Sequence, residues 1–124
     1  DHRWGGSDGA EVCLQRGDGK GPIFVLQGFA DGHFQSTDHA GAPLKATAAL
    51  GEQCTFAAAA GANNWTGEWR IPFAPAGIDL RVVKSLRFNI GVRKTAGPCP
   101  WVCWFGTGGP NFNVESAGDL LLGE

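Results

Sequence analysis

Apolar and polar residues alternate with period two along most of this chain, the spacing of strands that bury one face. In Glu11-Val12-Cys13-Leu14-Gln15, Val12 and Leu14 turn one way and Glu11, Cys13 and Gln15 the other. Gly17-Asp18-Gly19-Lys20-Gly21-Pro22 has the composition of a turn, and Ile23-Phe24-Val25-Leu26 is an unbroken apolar run that suits a strand covered on both faces. Together they predict a hairpin. Residues 30–43 mix Asp, Gly, His, Ser and Thr, which predicts a long binding loop with a short strand near Phe34. Residues 46–60 are rich in alanine, yet Gly51 interrupts them and Cys54-Thr55-Phe56-Ala57 alternates, so a strand is expected there rather than a helix.

Further on, Trp65, Trp69 and Ile71 share one face of a strand and Thr66, Glu68 and Arg70 the other, until Pro72, lacking an amide hydrogen, ends it. Phe73 to Gly77 suits one helical turn closed by the glycine. Leu86, Phe88, Ile90 and Val92 alternate with Arg87, Asn89, Gly91 and Arg93, the clearest half-buried strand of all. Residues 101–105 and 120–122 supply two more. Several strands between Gly/Pro turns, with no internal repeat, predict an all-β fold, a jelly-roll-like β-sandwich. A length of 124 residues makes it a single domain over 1–124.

Composition narrows the partners. With 18% charged residues and a formal net charge of −2, the chain lacks the basic footprint of a nucleic-acid or anionic-membrane binder, and no apolar run approaches the roughly 20 residues of a membrane helix. The absence of methionine predicts a chain processed or cut from something longer. Four cysteines allow two disulfides in an oxidising compartment, Cys13 with Cys54 being the preferred long-range pair. Cys99 and Cys103 can join only if Pro98 and Pro100 bend the chain, since an extended strand would hold them about 13 Å apart. All four may equally stay free thiols.

Four segments, in order, resemble the carbohydrate-binding modules of family 9: Trp4-Gly5-Gly6-Ser7-Asp8-Gly9-Ala10-Glu11-Val12, Glu68-Trp69-Arg70-Ile71-Pro72 with the residues after it, Leu86-Arg87-Phe88-Asn89-Ile90-Gly91-Val92, and Ala117-Gly118-Asp119-Leu120-Leu121-Leu122. The resemblance covers the C-terminal two-thirds of that family's pattern and implies a noncatalytic sandwich that grips a sugar between aromatic faces. An apolar pyranose face packs on an aromatic ring while its hydroxyls demand directional partners. Trp4 is similar to the first clamp tryptophan and Glu11 to a sugar-contacting polar residue; Gln27 and Arg93 add candidate hydrogen bonds. The second clamp tryptophan is replaced by Asn111-Phe112-Asn113, which leaves Phe112 or Trp104 as the opposite wall, Trp101 lying close enough to Trp104 to supply surface with it. The family's first strands have no counterpart, so the resemblance implies an open sheet edge completed by a second copy or a complementing chain. A structural or assembly module that has lost the sugar site is the alternative. The expected compartment is extracellular or periplasmic.

Other chemistry is thinly represented. Glu11 with Glu68 or Asp8 is the one carboxylate pairing to nominate for glycoside hydrolysis, and no Gly-x-Ser-x-Gly turn exists, so no catalytic residues are expected. His33, His39, Cys99 and Cys103 lack a compact zinc spacing, and no cofactor is expected apart from calcium, for which the oxygen-rich stretch from Asp31 to Asp38 could offer ligands. Without methionine, haem ligation by a Met/His pair is a poor reading. Trp65 and Trp69 are expected in the core. Asn64-Trp65-Thr66 fits a glycosylation pattern without a role assigned to it.

Overall fold

The computed structural model of the chain describes residues 2–123. It is an all-β sandwich with one short helix. Strands β1 (Gly9–Arg16), β2 (Phe24–Phe29) and β3 (Phe34–Thr37) are followed by α1 (Leu44–Gln53). Strands β4 (Thr55–Ala60), β5 (Trp65–Arg70), β6 (Ser85–Arg93), β7 (Trp101–Cys103) and β8 (Gly118–Leu121) complete the chain. The main antiparallel sheet runs β3-β2-β1-β6-β7, with β8 also paired to β6; β4 and β5 form a second, two-stranded sheet. Because β1 occupies one whole edge of β6, β7 and β8 lie end to end along the other, pairing with its C-terminal and N-terminal halves.

Register sorts the side chains of the main sheet onto two faces. Val12, Leu14, Phe24, Leu26 and Leu86 point to the larger core, where they meet Leu50 of α1, Cys54 and the segment carrying Ala76, Ile78 and Val83. The second sheet lies on this face: Trp69 packs against that core, and Phe56 stacks at a tilt on Trp69 and on Phe34. Gly28 permits the approach, since a Cβ there would come within 2.5 Å of the Trp69 ring and 2.6 Å of Phe56. The second face carries Cys13 and Val25 beneath Val114, with Ile23, Ala40 and Phe112 around them.

One expected strand is wrong in its first half. Residues 44–53 form α1, not strand, and only Thr55–Ala60 follow strand geometry. Alanine is the best helix former, Pro43 stands at the N-cap position, and Thr47 and Leu50, three apart, give the helix its buried side. Gly51, read as an interruption, instead makes room for β3, where a Cβ would stand 3.0 Å from Ser36 Cβ. Strand β7 stops at Cys103, short of the expected residue 105. The turn closed by Gly77 is present as a 3-10 turn over Ala74–Ala76, with Gly77 in the left-handed region at φ 70°.

Of the alternatives left open, the preferred Cys13–Cys54 pairing is not made, and topology explains why: Cys13 lies on one face of the main sheet, and Cys54 packs in the core on the other. All four cysteines are free thiols, Cys99 and Cys103 exposed.

Candidate functional site

The face of the main sheet away from β4 and β5 carries a polar row that crosses five strands at one register: Gln35, Gln27, Glu11, Gly91 and Cys103. Gln35 Nε2 donates to Gln27 Oε1 at 2.8 Å, and Gln27 Nε2 donates to the Glu11 carboxylate at 2.6 Å and to His39 Nδ1 at 3.3 Å. Cys13 donates weakly to the other Glu11 oxygen at 3.6 Å. Burial first, then the Glu11 charge, pushes the Cys13 thiol far above its ordinary value, so it stays protonated.

Above this row lies a cavity of about 480 Å³, a common size for small-molecule sites, lined by Trp4, Glu11, His39, Trp101, Cys103, Phe112 and neighbouring backbone. Trp4 and Trp101 meet edge to face, ring centroids 5.5 Å apart. Gly91 keeps the floor low, because a Cβ there would come within 2.5 Å of the Asn111 amide.

Two fastenings hold the walls. Arg93 Nε donates to Gly5 O at 2.9 Å, its Nη1 donates to Lys94 O and Pro100 O, and its guanidinium lies 5.1 Å over the Trp101 ring. Beside it, Asp8 accepts from the Thr95 amide and hydroxyl, both at 2.6 Å, and those bonds hold its carboxyl below its ordinary value. The second fastening is Asn89, fully buried. Its Nδ2 donates to Phe105 O and Asn111 O, and its Oδ1 accepts from the Phe105 and Ile90 amides. Asn89 therefore ties down both ends of the loop that brings Asn111 and Phe112 over the sheet.

Of the six expected sugar-site residues, Trp4, Glu11 and Phe112 line the cavity. Gln27 stands behind Glu11 and orients it, with every polar atom of its amide engaged. Arg93 props Trp101 and the Trp4 loop instead of lining the cavity. Trp104 corrects the expectation outright: it lies on the opposite side, against Phe88, Phe105, Ile90 and Leu120. Trp101, opposite Arg93 in register, holds the position expected of Trp104, and two residues separate them where the strand ends. His39, Asn111 and Cys103 were not expected in the wall, and only cross-strand register brings them together.

The carboxylate pairings do not form. Glu68 is exposed on β5, on the far side of the main sheet from Glu11, and Asp8 is engaged by Thr95. In the stretch expected to offer calcium ligands, Asp31 is bonded to His2 Nε2 at 2.5 Å and to the His33 amide, and among the described residues no three His, Cys, Asp or Glu side chains converge. No protein-family model, no curated protein and no solved structure matches this chain.

Proposed function

We propose that this domain is a noncatalytic saccharide-binding module, secreted or periplasmic in setting, that holds one sugar in the Trp4–Trp101–Phe112 cavity. The observation that carries the reading is the combination in one cavity of three aromatic side chains with a carboxylate held rigid by Gln27 and Gln35. Aromatic faces suit the C–H surface of a pyranose, and a pre-oriented acceptor suits its hydroxyls at little ordering cost. The resemblance to family 9 modules supports it through Trp4 and Glu11. Isothermal titration against mono- and oligosaccharides is the test. Binding is expected to weaken on the order of tenfold or more in Trp101→Ala and Trp4→Ala, and to stay unchanged in Trp104→Ala. No heat with any sugar ends the reading.

A second reading, an assembly role, has its own observation. Ile90, Val102, Trp104 and Leu120 expose an apolar strip on the core-side face of β6, β7 and β8, beyond the reach of the second sheet. Such strips mark contact surfaces. A second copy of the chain docked there would appear as a dimer mass in solution, dissociating in Trp104→Glu; a monomer at high concentration removes this reading.

A further inference from the structure

The cavity wall is unbalanced in charge and in hydrogen bonding. Among the residues that line it, Glu11 is the one Asp, Glu, Lys or Arg side chain, and it is only 2% exposed. It makes no ion pair among the described residues, whose ion pairs are His2–Asp31, Arg16–Asp18 and Arg81–Asp79. Its partners are a neutral amide and a thiol, and that amide has no hydrogen left to give. The cation nearest Gly91 along β6 on the same sheet face, Arg93, is committed to Gly5 O, Lys94 O, Pro100 O and the Trp101 ring.

Asn111 adds a second, independent acceptor. Its amide lies over Gly91, which is opposite Glu11 in register, and its Oδ1 is buried without a hydrogen-bond partner among the described residues. A buried acceptor without a donor is costly, and a donor that reaches it recovers that cost. A carboxylate, an unpaired carbonyl and three aromatic rings share a requirement. Each favours a positively charged group rich in hydrogens, the carboxylate by charge-assisted hydrogen bonds and the rings by their negative faces.

We infer that the cavity selects a sugar carrying a protonated amine, an amino sugar, over its neutral counterpart, and rejects sugar acids. This rests on the saccharide reading of the same cavity. The ammonium group lies against Glu11, with Asn111 in the same cavity wall, and the ring carbons lie against the aromatic walls. Sugar acids would bring a second carboxylate to a buried one with no cation between them.

Isothermal titration of the intact protein at low salt, with the amine protonated, compares glucosamine hydrochloride, glucose, N-acetylglucosamine and glucuronate. Glucosamine is expected to bind about tenfold tighter than glucose, with glucuronate weakest. The advantage should shrink as salt is added. N-acetylglucosamine, which keeps the nitrogen and loses the charge, should fall back to glucose or below. In Glu11→Gln the ratio of glucosamine to glucose affinity should drop toward one; if that variant fails to fold, the N-acetyl comparison in the wild-type protein carries the test alone. Glucose binding as tightly as glucosamine, N-acetylglucosamine matching glucosamine, or a ratio unmoved by Glu11→Gln overturns the inference while the saccharide reading stands. Methylammonium chloride binding where no neutral sugar does overturns the saccharide reading and leaves a cation site. Silence from every probe overturns both.

Discussion

Strands β2 and β6 are both interior strands, hydrogen-bonded along each edge, and they are buried in opposite ways. Every residue of β2 is buried. On β6 the pattern runs against the hydropathy of the sequence: Asn89 is 0% exposed and Gly91 is buried, while Ile90 between them is 37% exposed. The difference lies in the layers above each strand. Over β2, Trp69 and Phe56 cover the core side, and the Gln27 network and Val114 cover the other. Over the C-terminal half of β6, the second sheet does not reach the apolar side, while the loop from Trp104 to Asn113 closes over the polar side and builds the cavity. Alternation tells which side chains share a face, and the neighbouring layer decides which face is dry.

The sharpest way to break that contrast is to truncate one apolar side chain in each of the two halves. Phe24→Ala, in the covered half, should cost about 3–5 kcal/mol in urea unfolding followed by tryptophan fluorescence. Val102→Ala, on the open strip, should stay within about 0.5 kcal/mol. A comparable loss at both positions would mean that the open face is covered in solution, which is what the assembly reading requires.

Asn89→Ala comes next, because it removes three hydrogen bonds to the loop that roofs the polar face. It should cost about 1–3 kcal/mol, the penalty for leaving buried backbone groups unpaired. Hydrogen exchange at the Phe105 amide should accelerate, and sugar affinity should fall with it. Unchanged exchange would show that the loop is held by its apolar contacts. Gly28→Ala tests the covered half by overfilling: the new methyl would drive into Trp69 and Phe56, at a cost of about 1–3 kcal/mol.

How far these features were legible in the sequence follows from the same contrast. The strands of the main sheet, their facing residues and the turn at Gly77 could be read because local spacing and turn chemistry set them. The helix over Leu44–Gln53 was hidden by Gly51, whose reason is β3, a non-local neighbour. Within the site, Trp4, Glu11 and Phe112 were legible, while Trp101 and Trp104 were both available for the missing wall, and alternation, which turns residues three apart to opposite faces, decides for Trp101. His39, Asn111 and Gly91 carry no local signal; their meeting depends on the pairing of β1 with both β2 and β6. Trp69, expected in the core, does pack there, its Nε1 buried without a hydrogen-bond partner among the described residues.

The four cysteines probe the contrast with the smallest disturbance, since two are buried on opposite faces of the main sheet and two are exposed. Thiols react as thiolates, so both access and proton affinity count. Cys99 and Cys103 are exposed on the open half and should alkylate in the native protein. Cys54 lies in the core, and burial raises its thiol; Cys13 lies under Val114 beside Glu11, where burial and then the neighbouring charge raise it much further. Both should label only on unfolding, with Cys13 the last to react under partly destabilising conditions. Of the two exposed thiols, Cys103 lines the cavity and Cys99 does not. A bound sugar should therefore slow alkylation of Cys103 and leave Cys99 unchanged, which mass spectrometry of the labelled peptides can follow. Equal protection of both would point to a ligand-induced closure of the whole loop, and protection of neither would place the ligand outside this cavity.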